Sequence, residues 1–117
     1  MPIMCIFRVP NVTSAHYDAM RRKVGWEENP PSGGIAHFLT FNDGGAVEYD
    51  VWESRASFEG FHKARMEPAL RELGIDMGTP EIVPLDGIAI AEAVARGHLL
   101  PRGAPAESRV METDALA

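Results

Sequence analysis

His37 and Asp50 are the residues of this chain best suited, by type and spacing, to proton chemistry. They flank Asp43-Gly44 within a stretch from Gly34 to Ser54 that reads as two strands joined by a tight turn. Asp-Gly between alternating apolar residues is a strong hairpin signal, because it suits the positive φ that a two-residue turn asks of both central positions. With Asp43 and Gly44 as the turn, Asn42 opposes Gly45, Leu39 opposes Glu48, His37 opposes Asp50 and Ile35 opposes Trp52. Directly opposed residues on antiparallel strands have Cβ atoms roughly 4.5–5.5 Å apart. At that separation a carboxylate fixes the tautomer of an imidazole and raises its basicity, giving a base able to take an acidic phenol or α-keto proton. A histidine hydrogen-bonded for structure is the plainer reading of the same pair.

Alternation along the strands sorts the hairpin into two faces. One carries Ala36, Phe38, Thr40, Val47, Tyr49 and Val51, a plain apolar surface that a helix can cover. The other carries Ile35, His37, Leu39, Phe41, Glu48, Asp50 and Trp52, and is where function is expected. Trp52 is a candidate wall for an aromatic substrate, with Phe41 on the same face, although interface core is the plainer reading of an indole taken alone. Glu48 is a second acid–base group or an interface ion-pair partner. A three-residue loop would shift the pairing and break up this set.

The elements that must position these residues are written in the rest of the chain. Residues 3–9 read as a first strand, with Ile3, Cys5, Phe7 and Val9 on one side and Met4, Ile6 and Arg8 on the other. Arg8, if it shares the side of Asp50 and Glu48, is a buried cation that needs one of them. Thr13 or Ser14 caps a helix running to Val24, with Tyr17, Met20, Arg21 and Val24 as its inner stripe and Gly25 as its stop. Residues 26–34 form a loop by composition, a lid or a connector. After the hairpin, Ser54 caps a second helix whose inner side bears Phe58, Phe61, Arg65 and Leu73. Pro68 is expected to kink it or split it in two. Arg65 is a candidate to reach a substrate carboxylate or quinone oxygen; a stem packed on the sheet is the alternative. His62, beside Lys63, reads as solvated surface. Residues 80–90 supply a fourth strand, at an edge or bent because of Pro84 and Gly87. A short helix over 91–96 is expected to close the domain of residues 1–96, and residues 97–117 read as an extended or disordered tail.

The 117 residues suffice for a single core, and 45% hydrophobic with 24% charged residues is ordinary for a soluble chain. A net charge of −6 argues against nucleic-acid binding as the main role. Cys5 is the single cysteine, so no internal disulfide forms, which fits the cytoplasm. No signal-peptide pattern opens the chain and no segment is apolar enough to span a membrane. No Cys pair or His-x-x-x-His argues for a metal, and no glycine-rich fingerprint argues for a flavin or nicotinamide, so no cofactor is expected.

The element order β-α-β-β-α-β is that of the ferredoxin-like α+β fold, a four-stranded antiparallel sheet with both helices on one face. The uncovered face is expected to carry Leu39, Phe41 and Trp52 with the polar residues, and a homodimer is expected to close over it. Asp50-Val51-Trp52-Glu53-Ser54, the following Phe58 and Phe61, and Pro68-Ala69-Leu70 ahead of Gly74 resemble the dimeric α/β barrel superfamily, most of all its antibiotic biosynthesis monooxygenase-type proteins. The resemblance covers about residues 3–90 and not the tail. It implies a cofactor-independent enzyme acting on a small aromatic or polyketide-like molecule, with His37 as base, Asp50 its orienter, Trp52 a stacking wall, and Arg65 or Arg8 the oxyanion stabiliser. A polyketide cyclase or isomerase using the same base, a heme-binding member, or a non-enzymatic ligand-binding or stress-related dimer fits the same resemblance.

Overall fold

The computed structural model describes residues 1–91. The chain divides into two units, Met1–Asp86 and Gly87–Ala117, and the first holds every helix and strand described below. The helix expected over 91–96 and the tail expected over 97–117 lie outside the described residues.

The elements are β1 (Ile3–Pro10), α1 (Ser14–Val24), β2 (Gly34–Asn42), β3 (Gly45–Trp52), α2 (Arg55–Phe61), a π-helical turn (His62–Met66), α3 (Glu67–Leu73) and β4 (Glu81–Pro84). The strands form one four-stranded sheet in the order β2-β3-β1-β4, and every neighbouring pair is antiparallel. This is the ferredoxin-like α+β fold.

Local chemistry sets the boundaries. The Thr13 hydroxyl accepts from the His16 amide at 3.2 Å, and His16 Nδ1 accepts from the Thr13 amide at 3.3 Å, a reciprocal cap on α1. Gly25 ends α1 in the left-handed conformation at φ 65°. The Ser54 hydroxyl accepts from the Ser57 amide at 3.1 Å and starts α2. Pro68 has no amide proton and its ring crowds the preceding turn. The helical run accordingly widens to a π turn at His62–Met66 and resumes as α3 with the proline in its first turn. β4 is an edge strand as expected, but it stops at Pro84 rather than reaching residue 90.

The hairpin register holds from Asn42↔Gly45 through Leu39↔Glu48 and His37↔Asp50 to Ala36↔Val51. Two details differ. The turn is two residues long, yet neither Asp43 nor Gly44 has positive φ. Asn42 Oδ1 instead accepts from the Gly44 amide at 2.9 Å, and Gly45 takes the unusual backbone at φ 149°. A side chain at Gly45 would collide with the Val9 carbonyl oxygen, so glycine is required there. At the far end a bulge between Gly34 and Ala36 sets Gly34, not Ile35, opposite Trp52.

The larger correction concerns the faces. β1 lies in mid-sheet, and its Ile3, Cys5, Phe7 and Val9 are all buried in the core with α1, α2 and α3. The β1–β3 register places Cys5 opposite Asp50 and Phe7 opposite Glu48. Cross-strand partners share a face, so His37, Glu48, Asp50 and Trp52 lie beneath the helices. The face turned away from the helices carries Ala36, Phe38, Thr40, Val47, Tyr49 and Val51, the set expected to lie beneath them; Val51 and its neighbour Ile6 are nonetheless buried, at 7% and 8% exposed. Phe38, 50% exposed, marks it.

Candidate functional site

The site lies between the sheet and the helices. β2 presents His37 and β3 presents Glu48 and Asp50, while α1 lays Tyr17 across them. His37 Nδ1 and Asp50 Oδ1 are 2.5 Å apart, and His37 Nε2 and the Tyr17 hydroxyl are 2.7 Å apart. The Tyr17 and His37 rings stack with centroids 6.0 Å apart. Glu48 Oε1 stands 4.0 Å from His37 Nε2. Asp50, His37 and Tyr17 thus form a continuous row, with the imidazole bonded through both nitrogens.

Burial disfavours charge on His37, but the hydrogen bond from the ring to Asp50 and the negative charges of Asp50, Glu48 and Glu27 outweigh it, so its pKa lies above the ordinary value. Burial pushes the Glu48 carboxyl up to about 7, helped by Asp50 and opposed by His37. Burial, then Glu48 and Glu27, raise the Tyr17 hydroxyl well above its usual range, so it stays protonated. Burial also pushes the Cys5 thiol up to about 12, which keeps it inert.

These groups line a half-open cavity of about 40 Å³. Trp26 and Phe61 give it aromatic walls, Met20, Met66 and Met77 give it soft apolar ones, and Arg21 and Glu27 stand among its polar lining. Arg21 Nε donates to Glu27 at 2.9 Å. The Trp26 ring meets Trp52 and Phe61 edge-on at 5.4 and 5.6 Å and lies 5.6 Å from His37.

Of the residues singled out by sequence, His37, Asp50 and Glu48 come together in this cavity. Trp52 does not reach it: it is fully buried beneath α2, its ring 5.2 Å from Phe61, and Trp26 supplies the indole of the wall. Its Nε1 has no hydrogen-bond partner among the described residues. Arg65 does not reach the cavity either. Its guanidinium lies 5.0 Å over the Phe61 ring and donates to the Val24 and Gly25 carbonyls at 2.5 and 3.1 Å. It therefore clamps the end of α1 from which the Trp26 loop departs. Arg8 is on the opposite face, exposed, and paired with Glu81 at 3.0 Å rather than with Asp50 or Glu48. Phe41 is 38% exposed and meets the Tyr17 ring edge-on at 6.1 Å, outside the cavity lining. His62, expected at the surface, stacks on Phe7 at 6.0 Å.

Sequence alone does not single out Tyr17 or Trp26 for chemistry. Tyr17 carries a signal in hindsight: a phenol on an inner helical stripe needs a buried partner, and His37 is the nearest candidate of that kind. Trp26 and Glu27 sit in a loop whose path no periodicity describes. Among the described residues no group of three or more His, Cys, Asp or Glu is placed to hold a metal ion, and no helix is long and apolar enough to cross a membrane.

The fold and a polar row under its helices define the chain as a ferredoxin-like α+β protein with a buried acid–base cluster. The structure of Rv0793 from Mycobacterium tuberculosis shares this fold at TM-score 0.51 and 16% identity, over 75% of this chain and 97% of that one. A putative antibiotic biosynthesis monooxygenase from Chloroflexus aurantiacus J-10-fl aligns at TM-score 0.46 and 17% identity, over 77% and 97% of the two chains. A monooxygenase from the gene ActVA-Orf6 of Streptomyces coelicolor, solved in complex with nanaomycin D, aligns at TM-score 0.46 and 17% identity, over 77% and 92%. No protein-family model and no curated protein sequence matches the chain. The fold that the sequence resemblance implies is the fold observed.

Proposed function

We propose that this chain is a cofactor-independent enzyme of the antibiotic biosynthesis monooxygenase type, oxidising an aromatic or polyketide-like substrate. One observation supports the reading above all: the row Asp50–His37–Tyr17, with contacts of 2.5 and 2.7 Å, stands at the wall of an aromatic-lined cavity. An acidic substrate proton passes to the Tyr17 oxygen as the Tyr17 proton passes to His37 Nε2. Asp50 stabilises the imidazolium that results. Tyr17 stays neutral throughout, consistent with its raised pKa. The substrate anion places its electron pair on an activated carbon and reacts with molecular oxygen. An activated methylene then becomes a carbonyl, with one oxygen atom in the product and the other in water.

The test is oxygen uptake with phenols that bear an activated methylene, with product mass as a second readout. His37→Ala is expected to lower kcat roughly 10²–10⁴-fold while the protein still melts cooperatively. Unchanged uptake overturns the assignment of His37 as base.

We infer a homodimer across the sheet face turned away from the helices. Its support is the 50% exposure of Phe38 amid Ala36, Val47 and Tyr49, an apolar surface of the kind that favours association. Light scattering on wild type and Phe38→Asp tests it. A dimer that the substitution disperses is expected; a wild-type monomer at micromolar concentration overturns it.

A further inference from the structure

Glu48 is a charged group of the cavity wall that the proton row leaves over. The residue is 4% exposed, and its carboxylate has no hydrogen-bond partner among the described residues. Its nearest basic atom is His37 Nε2 at 4.0 Å, which is already joined to the Tyr17 hydroxyl at 2.7 Å. Buried carboxylates normally accept several hydrogen bonds, so an unmatched one inside a cavity points to a missing donor. The other charges of the wall are matched: Arg21 holds Glu27 at 2.9 Å and His37 holds Asp50 at 2.5 Å. An anionic ligand would therefore meet three carboxylates and, in Arg21, a guanidinium that is already engaged.

We propose that the cavity binds an aromatic ligand carrying a protonated nitrogen, which Glu48 receives within walls formed by Trp26, Tyr17 and Phe61. The proposal rests on reading the cavity as the substrate site and adds the charge of the substrate: a phenol for the proton row and an ammonium for Glu48. A cation beside buried carboxylate and aromatic faces gains from both. Burial raises the Glu48 carboxyl to about 7, as expected of a carboxyl whose counter-charge arrives with a ligand.

The test is calorimetric binding of three matched phenols, at a pH where Glu48 is ionised. Tyramine carries an ammonium, tyrosol a hydroxyl and para-hydroxyphenylacetate a carboxylate. Tyramine is expected to bind about tenfold more tightly than tyrosol, with the acid weakest. Glu48→Gln, checked for folding by its melting curve, is expected to reduce tyramine to the level of tyrosol. His37→Ala is expected to keep the preference for tyramine, so failure of the base is read in oxygen uptake and failure of this inference is read in binding. Absence of tyramine binding, equal affinity for tyramine and tyrosol in wild type, or a preference that survives Glu48→Gln overturns it.

Discussion

The two faces of the β2–β3 hairpin are built from the same alternation and end in opposite surroundings. The face of Ala36, Phe38, Thr40, Val47 and Tyr49 is mostly apolar and turns away from the helices. The face of His37, Glu48 and Asp50 carries three titratable groups and lies beneath them. Hydrophobicity of the hairpin alone would assign them the other way round. Burying polar groups is costly unless they find partners, and here Tyr17 of α1 and the cross-strand neighbours supply most of them. The helix layer covers the face that it can largely satisfy; of the groups left without a partner among the described residues, Trp52 Nε1 lies in the packed core and the Glu48 carboxylate sits in a cavity.

The largest difference between the faces should appear in stability. Phe7 is 1% exposed on the helix side and Phe38 is 50% exposed on the other. Phe7→Ala should cost roughly 3–5 kcal/mol, and Phe38→Ala no more than about 1 kcal/mol, in urea unfolding at a protein concentration low enough to keep the chain monomeric. Equal costs would erase the distinction. A smaller difference should appear in the response of stability to pH. Folding raises the Glu48 pKa from 4.5 to about 7, so the folded state holds that proton more tightly. The associated stability is full below 4.5 and is lost as pH climbs through about 7. His37 is raised as well, so its contribution is full below 6.5 and is lost at higher pH, in the same direction. Glu48→Gln should flatten the decline between pH 5 and 8 and leave the variant roughly 1–3 kcal/mol more stable than wild type at the alkaline end. A wild-type slope that survives the substitution would assign the decline to other groups.

Much of the architecture was legible in the sequence, for identifiable reasons. Asp43-Gly44 set a two-residue turn, and that alone brought His37 opposite Asp50 and Leu39 opposite Glu48. Pro68 announced the break in the second helical run, and the capping of α1 and α2 was written in Thr13 and Ser54. The covered side could not be read from the hairpin, because alternation separates two faces without naming the one a helix will cover. β1 held the needed sign. Its Ile3-Cys5-Phe7-Val9 set is free of charge while the other set ends in Arg8, and a strand in mid-sheet hands that polarity to its neighbour. The bulge at Gly34 displaced Trp52 from the expected pairing, and bulges leave little trace in a short apolar run. Trp26 escaped because its place depends on a loop held by Arg65, forty residues further along the chain, through the Val24 and Gly25 carbonyls.

Arg8 gives the smallest effect and a sharp check on which face is which. Had it shared the face of Asp50 and Glu48, it would have been a buried cation, and removing it would strand a carboxylate at a cost of roughly 3–5 kcal/mol. Instead its ion pair with Glu81, at 3.0 Å, has side chains 64% and 55% exposed. Water and salt screen such a pair, and holding two long side chains in one geometry offsets much of what attraction remains. Arg8→Ala should therefore shift stability by about 0.5 kcal/mol or less, and added salt should shrink even that. It should also leave oxygen uptake untouched, because the sheet separates Arg8 from His37. A loss of turnover in Arg8→Ala, with the melting curve unchanged, would place the working chemistry on the face away from the helices after all.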